Sequence, residues 1–337
     1  MRGSYSGLYR KCFVFALPIL LILGLKAPNI GVDTVSYINR YEYATEMMDN
    51  AATGSEMGFN IYNLFLSQIG CGWQLYLFIT SLLIVIGYVV FLNKYSNDFG
   101  ISWFVFITIG LFTMNMSGLR QSFAIAICLC ALCVLSKLDG KRIYRYLLFY
   151  ALIMLAVSIH NSAIIFSIVP FMYNRRLTRN NIWILLIIAV AALFYKNVVT
   201  GLLPSFEGTR YDEMSFDQNY AINPLKVLFT ISVPFLCLWV IPTEEDGRFS
   251  SKISLMFMFA CITVFFEMLS INNNQLGRMG YYFQSYCMIL VPAALMSVNT
   301  ESRSLVKLVA YVVCITYFVM GTIGGTLGID NYRFFWQ

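Results

Sequence analysis

LRQSFAIAICLCALCVLSKLDGKRIYR, residues 119–145, decides the fold. After Arg120 and Gln121 it runs apolar to Leu135, with none of the polar alternation of a barrel strand. It then gathers Lys137, Lys141, Arg142 and Arg145 into one short turn. An apolar helix that ends in a basic turn reads as a membrane span delivering its loop to the cytoplasm, because cytoplasmic loops carry an excess of Lys and Arg. The next apolar run starts at once, at Tyr144, so 119–136 and 144–158 read as neighbouring helices.

Working outward, the same alternation of apolar run and short loop continues in both directions. Upstream lie 101–116, 74–92, 57–70 and 12–27; downstream lie 161–173, 181–200, 224–241, 253–271, 280–298 and 306–327. Apolar residues make up 59% of the chain and charged residues 12%, whereas soluble domains sit near about 25% charged. The expected fold is therefore an all-α polytopic membrane protein, one integral domain over 1–337. Its larger extracytoplasmic loops fall at 28–56 and 201–223. Residues 12–25 run into Lys26-Ala27-Pro28-Asn29 without a clear small-x-small site, so the first span is expected to be retained.

Parity sorts the loops. If 57–70 crossed the bilayer, the basic turn at 137–145 would fall outside. A 14-residue helix covers only about 21 Å of a hydrocarbon layer of roughly 30 Å. It is expected to be a half-helix entering and leaving on the outer face, with about 11 full spans around it. Gly70-Cys-Gly-Trp73, at its inner end, must then be buried in protein or line a wet cavity. This topology places 15 Lys and Arg residues inside and 8 outside, and 6 acids inside against 10 outside, with Glu267 within a span. The net charge of +6 belongs to short inner loops and is no sign of a nucleic-acid partner. Cys128, Cys130 and Cys133 read as small packing residues, because no second Cys pair or His cluster completes a metal site.

Under this topology the unusual polar residues collect on the outer side. They are Asp33 and Tyr37, Glu56, Arg120 and Gln121, His160 and Asn161, Arg210 with Tyr211-Asp-Glu, and Asn272-Asn-Asn-Gln275 with Arg278, Tyr281 and Tyr282. Each has a plain reading: an arginine at a helix end snorkels to headgroups, a lone His packs, loop acids are solvated. Yet Arg120 and Arg278 stand where cations are disfavoured, on the outer side and at a helix start. An anionic partner would offset that cost. Arginine forks bind phosphates bidentately, and helix starts add N–H donors. His160 is the single His of the chain, and imidazole suits proton transfer near neutral pH.

The order of motifs Asp33-Thr-Val-Ser-Tyr37, Glu56-Met-Gly-Phe59, Leu119-Arg120-Gln121, Ile159-His160-Asn161-Ser162-Ala163 and Arg278-Met-Gly-Tyr281-Tyr282-Phe283 resembles the EpsG-type branch of the Wzy polymerases. The resemblance covers about 33–283. Where the family often has a basic or polar residue after the His, this chain has Asn161. The resemblance implies a GT-C-like, metal-independent glycosyltransferase of the bacterial inner membrane, with no cofactor and its active site facing outward. It would join undecaprenyl-diphosphate-linked repeat units into O-antigen, capsule or exopolysaccharide. A flippase and a chain-length regulator would be its partners beside the lipid bilayer. Catalysis would fall to His160, Asp33 or Glu56. Diphosphate and sugar would be held by Arg120, Gln121, Arg210, Arg278, Tyr37, Asn161, Tyr281 and Tyr282. Two other classes compete. A transporter or flippase would also use broken helices and membrane-facing charges, although no internal repeat is present. A membrane O-acyltransferase would also use a His, although no second His or Ser-rich site accompanies it.

Overall fold

A computed structural model describes residues 7, 11–44, 56–136, 142–202, 224–270, 274–323 and 331–337. Among these the chain is helical throughout, with fifteen α-helices and only two isolated β-bridges. In order they are α1 (Leu17–Gly24), α2 (Thr34–Glu42), α3 (Met57–Gln68), α4 (Trp73–Tyr95), α5 (Phe99–Thr108), α6 (Leu111–Ser117), α7 (Leu119–Leu135) and α8 (Arg142–Ile159). Then follow α9 (Val169–Met172), α10 (Arg179–Leu202), α11 (Pro224–Val240), α12 (Ser251–Leu269), α13 (Asn274–Gly280), α14 (Cys287–Ser297) and α15 (Thr300–Ile323). A π-helical turn, Cys12–Ala16, leads into α1.

Three helices, α4, α12 and α15, are long and apolar enough to cross a bilayer by themselves, and α5 with α6 passes as a bent pair. α4 has 23 residues, about 34 Å of helix against roughly 30 Å of hydrocarbon. Among the described residues seven further apolar helical stretches are shorter. Their outward faces and that of α15 carry large bare apolar side chains, such as Leu147, Met154, Ile187, Leu236, Leu308 and Val312. Water would not tolerate so much exposed apolar surface, and these are the helices of a membrane protein.

Two expected spans take other forms. Residues 101–116, read as one helix, break at Ile109-Gly110 and bend by 59°. Gly110 there adopts φ +91°, a conformation that side chains with a Cβ avoid. Residues 161–168, expected to begin an ordinary arm, form a 3-10 helix, Asn161–Ile168, that passes into α9.

The chain forms two compact units, residues 1–170 with 310–337, and residues 171–309. In the first, α4, α7 and α8 pack side by side, and α1 lies on α4. α3 leans on α8 and α2. Its Phe59, Asn63 and Leu66 are buried while Ile61, Phe65 and Ile69, one turn apart, are exposed. The turn after α3 is satisfied locally, Gly70 N–H donating to Ser67 and Cys71 N–H to Leu66 at 3.0 and 3.1 Å. The C-terminal segment pairs with the loop after α1 through Ala27 N–H to Arg333 O at 2.9 Å and Phe335 N–H to Leu25 O at 3.0 Å. In the second unit α10, α12 and α11 pack together, with α13 against α12.

Candidate functional site

The geometry starts from the α7–α8 pair. These helices lie antiparallel, Arg145 of α8 meeting the Leu135 carbonyl of α7, so the start of α7, with Arg120, and the residue after α8, His160, share the other end. Residue 58 brings a third element there. A Cβ on Gly58 would lie 2.1 Å from Ser158 Oγ, so only glycine lets the start of α3 settle on the last turn of α8. That approach delivers Glu56, the residue capping α3.

Glu56 is 4% exposed at its side chain. One carboxylate oxygen accepts from Arg120 Nη1 and the other meets His160 Nδ1. Burial pushes this carboxyl up, but the His160 hydrogen bond and the charges of Arg120, His160 and Arg40 outweigh it and hold it below the usual range. An ionised carboxylate only accepts, so Nδ1 is the donor and Nε2 takes no part in this contact. The Glu56 backbone sits at φ 68° and ψ 41°. For a residue with a Cβ this costs about 1–3 kcal/mol and persists only where the surroundings impose it. The fork of contacts at its side chain does so.

α2 closes the cluster. Lys26, buried, donates to Thr34 Oγ1 at 3.0 Å and to the Met116 carbonyl, which fixes the start of α2. The Arg120 guanidinium lies 5.6 Å from the ring centre of Tyr37 and 5.9 Å from that of Phe59. Arg40, one turn along α2 from Tyr37, lies 5.8 Å from the same Phe59 ring and donates to Asn60 Oδ1 at 2.6 Å. Burial raises the Tyr37 hydroxyl against the opposing pull of Arg120. Burial and then the Arg120 charge lower the Arg40 guanidinium against the pull of Glu56. Tyr41 stacks on Tyr76 at 4.2 Å and Tyr62 tilts against Phe123 at 5.3 Å, joining α2, α3, α4 and α7 in one dry aromatic layer. Electrostatic contacts next to such a layer are stronger than in water.

Of the residues singled out from the sequence, the fold gathers Glu56, His160, Arg120 and Tyr37. Gln121 is buried in α7 beside Arg120, and Asn161 is exposed at the start of the 3-10 helix. Asp33 caps α2, and no hydrogen bond from it to His160, Glu56 or Arg120 is found among the described residues. Arg278 is exposed in α13 of the second unit, Tyr281 lies under Lys226 at 5.7 Å, and Tyr282 is buried. Arg210 lies outside the described residues. Arg40 and Lys26 were not singled out. Arg40 carried a usable signal, being the one cation of the acid-rich stretch 28–56.

A model of the EpsG family matches residues 9–334. No curated protein and no solved structure matches the chain.

Proposed function

The chain belongs to the EpsG family, and on that premise we propose that it is a membrane glycosyltransferase joining undecaprenyl-diphosphate-linked repeat units into a polysaccharide. The observation that carries this reading is the Glu56 carboxylate held between His160 Nδ1 and Arg120 Nη1. Three motifs far apart in the chain contribute one group each to a carboxylate–imidazole pair with a guanidinium beside it. That is the equipment of an acyl- or glycosyl-transfer site that moves a proton and stabilises an anion.

In the proposed step, Glu56 fixes the ring of His160 and its Nδ1 proton, as the acid does in a hydrolase triad. His160 Nε2 takes the proton of the acceptor sugar hydroxyl. The acceptor oxygen bonds to the anomeric carbon of the donor glycan, and the bond from that carbon to the diphosphate oxygen breaks. Its electron pair leaves with undecaprenyl diphosphate, whose charge a neighbouring guanidinium offsets. His160 then releases its proton to solvent.

The charge bias of the loops supports an outward-facing site, about 11 spans, and α3 as a half-helix. In a cysteine-free background, an impermeant thiol reagent should label Asp212→Cys from outside and leave Gly140→Cys protected; the reverse pattern would invert the topology. The activity itself is tested by reconstituting the full chain in proteoliposomes with a lipid-linked repeat unit. A ladder of products differing by one repeat is expected. Movement of the lipid across the bilayer without new glycosidic bonds would sink the reading and favour a flippase.

A further inference from the structure

We propose that Arg40 is an anion-binding residue of this site, seating a phosphate group of a diphosphate ester that Arg120 closes over. The inference rests on the glycosyltransferase reading for the identity of the lipid, but its basis is a charge imbalance. Two guanidiniums flank the buried Phe59 ring at 5.8 and 5.9 Å. Among the described residues one carboxylate, Glu56, pairs with either of them, and it is already bonded to Arg120 and His160. Arg40 forms no ion pair among the described residues, and its acceptor there is the neutral amide of Asn60. Arg120 repels it and Glu56 attracts it from a distance, while burial disfavours its charge.

Two arginines held near one another and half out of water are costly unless an anion joins them. Arg40 lies in the last turn of α2, where the helix end favours a cation, but that partial charge does not balance a second guanidinium. The geometry also divides the labour. Arg120 spends Nη1 on Glu56, whereas the bond from Arg40 to Asn60 runs through Nη2 to a neutral amide. A planar fork of this kind matches phosphate oxygens.

The test uses the full chain in phosphatidylcholine nanodiscs, titrated with undecaprenyl diphosphate and separately with inorganic pyrophosphate. Wild type should bind both, the lipid more tightly. Arg40→Gln should weaken binding of both by about tenfold or more, the scale of a lost charged hydrogen bond. Arg40→Lys should fall between. Asn60→Ala removes the tie between α2 and α3 but keeps the cation, and should stay within about twofold of wild type. In the polymer assay Arg40→Gln should raise KM more than it lowers kcat. Unchanged affinity in Arg40→Gln would overturn the inference, as would an Asn60→Ala loss equal to it, which would make Arg40 a tie between helices. If nanodiscs of phosphatidylglycerol abolish the difference between wild type and Arg40→Gln, the residue is a headgroup anchor and the proposal fails. Loss of binding in Arg40→Gln with no polymer from wild type would overturn the polymerase reading and leave the anion seat standing. Polymer from wild type with normal binding in Arg40→Gln would do the opposite.

Discussion

Each unit of the molecule holds a buried carboxylate beside an arginine or lysine, and the two are wired differently. In the first, Glu56 is shared by Arg120 and His160, with Arg40 close by and lacking a carboxylate of its own among the described residues. In the second, Glu267 on α12 pairs with Lys226 on α11 at 2.8 Å, and the Lys226 ammonium also lies over Tyr281. Among the described residues the second sets one anion against one cation on neighbouring helices. Among the described residues the first sets two guanidiniums beside one carboxylate, around a strained backbone, with His160 bonded to that carboxylate through Nδ1. Charges that only hold helices together need to balance, since an uncompensated buried charge is costly. On the proposed reading, a site that receives an anion and moves a proton keeps such an imbalance.

The sharpest way to break this contrast is to remove one group from each side. His160→Ala should lower turnover by about 10²–10⁴, the usual cost of losing a general base, while the fraction of folded protein stays near wild type. Normal turnover per folded molecule would return His160 to a packing role. Lys226→Met should do the reverse. It strands Glu267, 8% exposed at its side chain, and should cost about 1–3 kcal/mol in thermal stability with turnover per folded molecule unchanged. Lys226→Met with Glu267→Leu should recover that loss, because two apolar groups replace both charges. Failure of the double variant to recover would give the pair a role beyond joining α11 to α12.

Gly58→Ala sharpens the geometric half of the comparison. The new Cβ would meet Ser158 Oγ at 2.1 Å, so α3 must lift from α8, costing about 1–3 kcal/mol by overpacking and moving Glu56 away from His160. Gly72→Ala, with nothing within 4 Å of its Cβ, should change stability by less than about 0.5 kcal/mol. Equal behaviour of the two variants in thermal denaturation and turnover would show that the α3–α8 contact does not position the carboxylate.

The smallest expected effect is on acid stability. The Glu56 carboxyl is held below its ordinary value of 4.5 in the folded state. Its contribution to stability is therefore fully present above that value and is lost as pH falls through the lowered folded one. The part of the difference in melting temperature between wild type and Glu56→Gln that comes from this carboxylate should shrink as pH falls below about 4.5. A difference that faded between pH 7 and 5 would mean the carboxylate is not held ionised by its neighbours.

Periodicity, length and charge were enough to place most helices, because apolar runs separated by basic or acidic turns carry that information locally. The boundaries expected at 74–92, 119–136, 144–158 and 253–271 lie close to those of α4, α7, α8 and α12. The break at Gly110 was less legible: a glycine inside an apolar run is common in membrane helices, and only the backbone angle shows that this one turns the chain. Glu56, Arg120 and His160 stood out singly, each as a polar residue in the wrong surroundings. The sequence could not show that one carboxylate serves both of the others, since hydrogen bonding across 64 and 104 residues depends on how α3 docks against α8.

By itself, then, the sequence determined that this chain is a helical membrane protein with the motifs of the EpsG family, because hydropathy and charge sorting act residue by residue along the chain. The tertiary structure alone decided which charges face one another. It made Arg40 a neighbour of Arg120 across Phe59, and it set Glu267 beside Lys226 in the second unit. The reason is physical: Coulomb and hydrogen-bond energies fall off over a few ångströms of space and take no account of distance along the chain.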